Sequence, residues 1–181
     1  MNMNRVVTVA ALAVGGFMLS KQLKKSRGDG MMSSTRESID VDMPLSAVYN
    51  QWTQFEDFPK FMDSVHEVRQ VDDTHLHWRA DVAGKEQEWD AEITEQIPDK
   101  RIAWRSIGGV ENSGVVTFHK ISDTRTRVML QMDYSPETVD EKVGDALGFV
   151  KMQLKGNLKR FKEMLEGRGS ETGAWRGTVT H

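Results

Sequence analysis

His75-Leu-His-Trp-Arg-Ala-Asp-Val-Ala-Gly-Lys-Glu-Gln-Glu-Trp-Asp-Ala-Glu-Ile93 is the stretch that decides the fold. Leu76, Trp78, Ala80 and Val82 alternate with His75, His77, Arg79 and Asp81; past Ala83-Gly84, Trp89, Ala91 and Ile93 alternate with Glu88, Asp90 and Glu92. A period of two on either side of a two-residue turn signal reads as an antiparallel hairpin, each strand buried on one face. If Ala83-Gly84 is the turn, Val82 faces Lys85, Trp78 falls opposite Trp89, and Leu76 falls opposite Ala91. The other face then pairs Arg79 with Glu88, His77 with Asp90 and His75 with Glu92, which are favourable cross-strand partners. Only Asp81 against Glu86 sets like charges together. A slip of one residue would destroy both matches, so the register is strongly specified.

The same inner parity continues outward. After Pro98-Asp99 come Ile102 and Trp104, then Val116 and Phe118 beyond a break at Asn112-Ser113-Gly114. Val128, Leu130, Met132 and Tyr134 follow the Asp123-Thr124 turn. Upstream, Ser38 to Asp42 alternates as a short strand, and Pro44 opens a helix with Leu45, Val48 and Trp52 on one stripe. A second short helix is expected over Phe55 to Met62, kinked at Pro59. A sheet apolar on one side needs a cover. Val143, Leu147, Val150, Leu154, Leu158, Phe161 and Leu165 supply it, stepping by three and four residues, with Lys151, Lys155, Lys159 and Lys162 off the stripe. Gly144, Gly148 and Gly156 interrupt this helix at roughly 1 kcal/mol each; close approach to the sheet or room for a ligand would explain them, and mere accident is the third reading. Gly167 supplies its stop signal.

The 181 residues suit one domain with appendages. Cysteine is absent, which removes disulfides, thiolate metal sites and cysteine nucleophiles. The net charge is −3, but residues 1–28 carry five basic groups (Arg5, Lys21, Lys24, Lys25, Arg27) and no acid, leaving −8 for the remainder. A body that acidic argues against a nucleic-acid partner. Val6 to Leu19 is uncharged but shorter than the ~20 residues of a spanning helix. It reads as a membrane-surface anchor whose basic cluster meets anionic headgroups, as a weakly structured tail, or as a signal peptide without a convincing cleavage site. The first reading places the protein on the cytoplasmic side of the inner membrane, the second in the cytoplasm. Residues 1–34 are thus an apolar and basic segment with a flexible linker, 35–167 the folded domain, and 168–181, with Gly-rich composition, a loose tail in which Trp175 is the anomaly.

A strand, two short helices, a run of antiparallel strands and one long terminal helix is the order of the α+β helix-grip fold, a curved antiparallel sheet wrapped around a C-terminal helix. The stretches 37–53 (ESIDVDMPLSAVYNQWT), 55–62 (FEDFPKFM), 77–80 (HWRA), 89–93 (WDAEI) and 101–104 (RIAW) resemble bacterial polyketide cyclase/dehydrase-type proteins of the START-like superfamily. That group is similar to the coenzyme-Q-binding START-domain family. The resemblance covers about Thr35 to Gly167 and implies a cavity between sheet and helix for a small hydrophobic molecule such as a lipid, quinone or polyketide-like compound. Fold likeness alone leaves the function open, because the superfamily spans carriers, receptors and a few cyclases.

The inward-parity side chains Trp78, Trp89, Ile93, Trp104, Phe118, Met132 and Tyr134, with Leu147, Leu154 and Leu158 from the helix, are the expected cavity lining; aromatics and methionine suit apolar pockets. Ordinary core packing accounts for the same residues. Glu95 shares the parity of Trp89 and Ile93 and is the candidate polar anchor, or else lies in water at the strand's end. A zinc site from His75, His77 and Glu92 is conceivable, since residues two apart share a strand face, but a solvated charge ladder is the favoured account of the same residues. His66 has no evident partner. No nucleophile triad, phosphate loop or HExxH pattern is present, so neither cofactor nor catalytic residue is expected. Two rivals to the binder stand: a polyketide aromatase/cyclase with Glu95 or Tyr134 as acid/base, and a closed-core protein whose N-terminal segment targets a membrane or stress assembly.

Overall fold

The computed structural model describes residues 32–135 and 146–180. The N-terminal apolar and basic segment, and Val143 and Gly144 of the helix stripe, lie outside the described residues. Ser33–Val41 forms β1 and Leu45–Trp52 forms α1, followed by a 3-10 stretch over Phe55–Lys60 that accommodates Pro59. Val65–Gln70 (β2), His75–Val82 (β3), Lys85–Ile97 (β4), Arg101–Gly108 (β5), Asn112–Ser122 (β6) and Arg125–Tyr134 (β7) follow. Then come the 23-residue helix Ala146–Arg168 (α2) and Val179–Thr180 (β8). The strands make one curved antiparallel sheet in the order β1-β7-β6-β5-β4-β3-β2, and β8 also pairs with β4. This is the helix-grip arrangement.

The β3–β4 register is the one read from the sequence: Val82 pairs with Lys85, Trp78 with Trp89, Leu76 with Ala91 and His75 with Glu92. Ala83 and Gly84 both have positive φ, 52° and 73°, the turn geometry whose twist matches the strands. The outer-face charges pair less directly. His77 Nδ1 meets Asp90 at 2.7 Å, but His75 turns to Asp72, Arg79 to Glu86 and Glu67, and Glu92 to Arg105.

Several expectations are corrected. β1 is longer than Ser38 to Asp42, because residues from Ser33 onward pair with β7. β2 was not foreseen; its pairing with β3 shifts between Val65 and Glu67, and such an irregularity spoils the period-two pattern by which a strand is recognised. Gly114 lies within β6 rather than in a break, paired with Met132 and Trp104.

Helix α2 buries Val150, Leu154, Leu158, Phe161 and Leu165 as the stripe requires. Its Lys162 Nζ donates to the Asp40 carbonyl oxygen at 2.7 Å, and Glu166 accepts from the Asp42 backbone N–H at 2.7 Å, fixing the helix to β1. Gly156 serves neither a close approach to the sheet nor a ligand: a Cβ there would stand 3.2 Å from the Arg160 guanidinium. That guanidinium donates to the Phe61 carbonyl oxygen and pairs with Asp63.

Residues 169–180 do not form the loose tail expected of them. They lie along α1, whose polar side chains are buried as a result: Gln51 is 0% exposed. Gln51 Oε1 accepts from the Thr172 backbone N–H at 3.0 Å and from Arg168, while its Nε2 donates to Asp57. Arg176 makes a two-pronged pair with Asp99 at 3.0 and 2.7 Å, also reaches Asn50, and lies over the Tyr49 ring. Trp175 donates its backbone N–H to Thr53 Oγ1. The segment ends by placing Val179 and Thr180 against Gln96 and Glu95, where β3 no longer reaches. A glycine-rich composition conceals this because the binding force is hydrogen bonding from scattered polar residues, not an apolar period.

Candidate functional site

The end of α1, the 3-10 stretch, the concave sheet face and α2 surround a cavity of about 200 Å³. One water needs only about 10–15 Å³ of such space, so the opening admits a small organic molecule. Trp52, Phe55, Phe58 and Met62 close one side; Leu76, Trp78, Trp89, Ile93, Ile102, Trp104, Leu130, Met132 and Tyr134 form the sheet wall. From α2 come Phe149, Val150 and Leu154, with the amides of Gln153 and Asn157.

Three tryptophans from adjacent strands shape the wall. Trp78 and Trp89, directly opposite in the ladder, stack with centroids 5.8 Å apart and planes 8° from parallel. Trp104 lies across β6 at Gly114, where a Cβ would meet the Gln131 carbonyl oxygen at 2.7 Å and the indole ring closer still. Gly109, with φ +78°, fits against Trp89: a Cβ would be 2.8 Å from its Cβ. Gly114 is required because the Trp104 ring occupies the volume a side chain would take, and Gly109 because its φ is positive and the Trp89 Cβ and the Glu88 carbonyl oxygen crowd it. The Trp78 indole N–H is buried and has no acceptor among the described residues. An unsatisfied buried donor costs roughly 1–3 kcal/mol, a cost the packing of this wall carries.

Of the expected lining residues, Trp78, Trp89, Ile93, Trp104, Met132, Tyr134 and Leu154 are brought together around the cavity. Phe118 and Leu158 are buried elsewhere in the core, Phe118 packing edge-on against Tyr49, and Leu147 is 50% exposed. Glu95 is corrected too. The β4–β5 pairing shifts between Ile93 and Glu95, which flips the parity, so Gln96 is buried and Glu95 points aside to pair with Arg101 at 3.0 Å. Sequence reasoning missed the contribution of Trp52, Phe55, Phe58 and Met62, which the pattern assigned to short helices without a facing partner. It also missed Asn112, Gln153 and Asn157, polar residues that bring hydrogen-bonding groups to an apolar space. The zinc set His75, His77 and Glu92 is dispersed onto separate partners. His66, thought partnerless, has its Nε2 3.0 Å from Asp81 Oδ1.

Away from the cavity, burial raises the Tyr49 hydroxyl above its ordinary value, against the opposing effects of the Gln96 amide and Arg176. Burial also works to raise Asp57, but hydrogen bonds from Lys60, Thr172 and Gln51 outweigh it and hold the carboxyl below its usual range. The titrating groups that are shifted thus belong to the seam under residues 169–180 and to surface pairs.

A curved sheet gripping a terminal helix over an apolar cavity defines the class: a START-like helix-grip protein. Within it, the profile of the polyketide cyclase / dehydrase and lipid transport family matches residues 41–163, and the chain belongs to that family. An uncharacterized 17.2 kDa protein of Streptomyces lincolnensis is 58% identical over 149 residues, covering 82% of this chain and 99% of that protein. A crystal structure from Deinococcus radiodurans is 29% identical with a TM-score of 0.59, covering 75% of this chain and 99% of that one. The Zhui aromatase/cyclase of Streptomyces sp. R1128 has a TM-score of 0.62 at 15% identity, covering 80% and 100%; at that identity the likeness concerns the fold alone.

Proposed function

We propose that this protein binds and carries a small hydrophobic molecule in the cavity between sheet and α2. The observation that carries the reading is the space itself: about 200 Å³ kept open beside Trp78, Trp89 and Trp104, the last seated on Gly114. A core meant only for stability would fill such a void, since each lost contact costs dispersion energy. The family's description, which includes lipid transport, agrees with it. A mostly apolar lining that includes Asn112, Gln153 and Asn157 favours a ligand with a hydrogen-bonding group on an otherwise apolar body, such as a quinone or a fatty acid. Contact of residues 1–27 with a membrane surface fits a carrier of that kind; among the described residues no helix is long and apolar enough to cross a membrane.

Native mass spectrometry of the purified full chain, followed by titration with a fatty acid and with a quinone while tryptophan emission is read, tests the proposal. Saturable uptake of one molecule is expected, abolished by Met132→Trp, which fills the space while leaving the fold intact. Neither co-purified ligand nor uptake of either probe would end the carrier reading. The aromatase/cyclase reading keeps one supporting observation, the presence of Tyr134 among the cavity-lining residues. It requires Tyr134→Phe to lose turnover of a polyketide probe while retaining its binding.

A further inference from the structure

At the rim of the cavity, three neighbouring strands bring different metal-binding side chains to one point. His66 comes from β2, Asp81 from β3 and Glu86 from β4. His66 Nε2 is 3.0 Å from Asp81 Oδ1 and 4.0 Å from Glu86 Oε2, and one donor atom from each residue lies within 4.8 Å of the others. Ligand atoms around a tetrahedral zinc, at metal distances near 2.0–2.2 Å, stand roughly 3.3–3.6 Å apart. The side chains are exposed and free to close the remaining gap by rotamer changes.

The sheet's own charge pattern supplies a separate reason. Asp81 and Glu86 are direct cross-strand partners, the one like-charged pair in a face where Arg79 opposes Glu88 and His77 opposes Asp90. Two carboxylates so placed repel. Arg79 relieves part of this, with its Nη1 3.3 Å from Glu86 Oε2, but it also serves Glu67. The irregularity in β2 falls at His66, between the paired residues Val65 and Glu67, so this histidine has no ladder partner on β3 and its ring reaches the two acids.

We propose that His66, Asp81 and Glu86 form a binding site for a divalent transition metal of the zinc type. One imidazole and two carboxylates form a nitrogen–oxygen set that selects such ions over magnesium or calcium, which prefer all-oxygen ligands. Three protein ligands leave a coordination position for water or another oxygen donor. Asp81 is itself part of the cavity lining, so the bound ion would sit at the cavity's edge and tie β2 to the β3–β4 hairpin. The site stands whether or not the cavity carries a ligand.

The test uses the full chain stripped with chelator and titrated calorimetrically with Zn²⁺, and separately with Co²⁺ to record its visible bands. One equivalent is expected to bind, weakened by roughly tenfold or more in His66→Gln and in Asp81→Asn. His77→Gln, with its own Asp90 partner, should bind as the parent does, and excess Mg²⁺ should not compete. Thermal unfolding of each variant without metal verifies that it is folded. The proposal is overturned by the absence of saturable binding, by binding undiminished in folded His66→Gln, or by equal loss in His77→Gln.

Discussion

Two aromatic regions share the interior and end up in opposite states. Around Trp52, the rings of Phe58, Phe61, Phe118 and Phe161 meet edge to face or tilted, with centroids 4.9 to 6.2 Å apart. Each ring fills the gap its neighbour leaves. At the cavity, Trp78 and Trp89 lie parallel, the Trp104 ring takes the place of a side chain at Gly114, and Gln153 and Asn157 of α2 share the lining. Aromatic content does not decide whether a core closes; ring orientation does. Crossed rings from helix and sheet interlock, whereas the parallel Trp78–Trp89 pair presents one continuous face to the open space.

The largest effect that sharpens this contrast is Phe161→Ala. The side chain is fully buried and bridges Trp52 and Phe61, so a loss of about 3–5 kcal/mol in denaturant unfolding is expected. Trp104→Ala removes a larger ring that already lacks neighbours on one side, and should cost less, roughly 1–2 kcal/mol. Ligand uptake should respond in reverse, weakened by Trp104→Ala and retained in whatever Phe161→Ala remains folded. Equal costs at both positions would mean that the cavity closes in solution.

Next in size is Gln51→Ala, which leaves the Thr172 backbone N–H and Arg168 without their buried acceptor. A loss of about 1–3 kcal/mol is expected, with hydrogen exchange at 171–180 accelerated more than in the sheet. The same seam gives a pH dependence. Asp57 has a lowered pKa in the folded protein, so its contribution to stability is present above the ordinary carboxylate value of 3.8 and is lost as pH falls through the lower folded value. Acid should therefore lower the exchange protection factors at 171–180, each taken against the intrinsic rate at that pH, and Asp57→Asn should flatten that response.

The smallest effect is a gain. Gly156→Ala adds a methyl that the end of a flexible arginine can yield to, and alanine is favoured in helices by about 0.8–1 kcal/mol. A rise in stability of roughly 0.5–1 kcal/mol is expected by urea titration. A fall would show that the Arg160 contact with Phe61 and Asp63 outweighs helix propensity.

Most of the sheet was legible because alternation is strict where strands pair regularly. The hairpin from His75 to Ile93 was readable residue by residue, since apolar and charged faces both constrain one register. The reading failed where a strand carries an extra residue. Thr94 in β4 reverses the parity of everything after it, so Glu95 was placed inward and the buried Gln96 overlooked. His66 in β2 hid a whole strand and with it the partner of Asp81. The cavity was half legible: parity identified the sheet wall, but the amides of α2 and the rings of the short elements depend on tertiary placement that no local period encodes. The burial of Asn50, Gln51 and Thr53 depends in turn on a segment more than a hundred residues away.

The two residues of β8 have a protective effect out of proportion to their length. By docking on Glu95 and Gln96 they occupy a strip of main chain that would otherwise be open to any extended peptide, including the same strip on a second molecule. Shortening the chain at Gly177 would thus convert a sealed margin into an adhesive one, and self-association, rather than unfolding, is the failure to watch for.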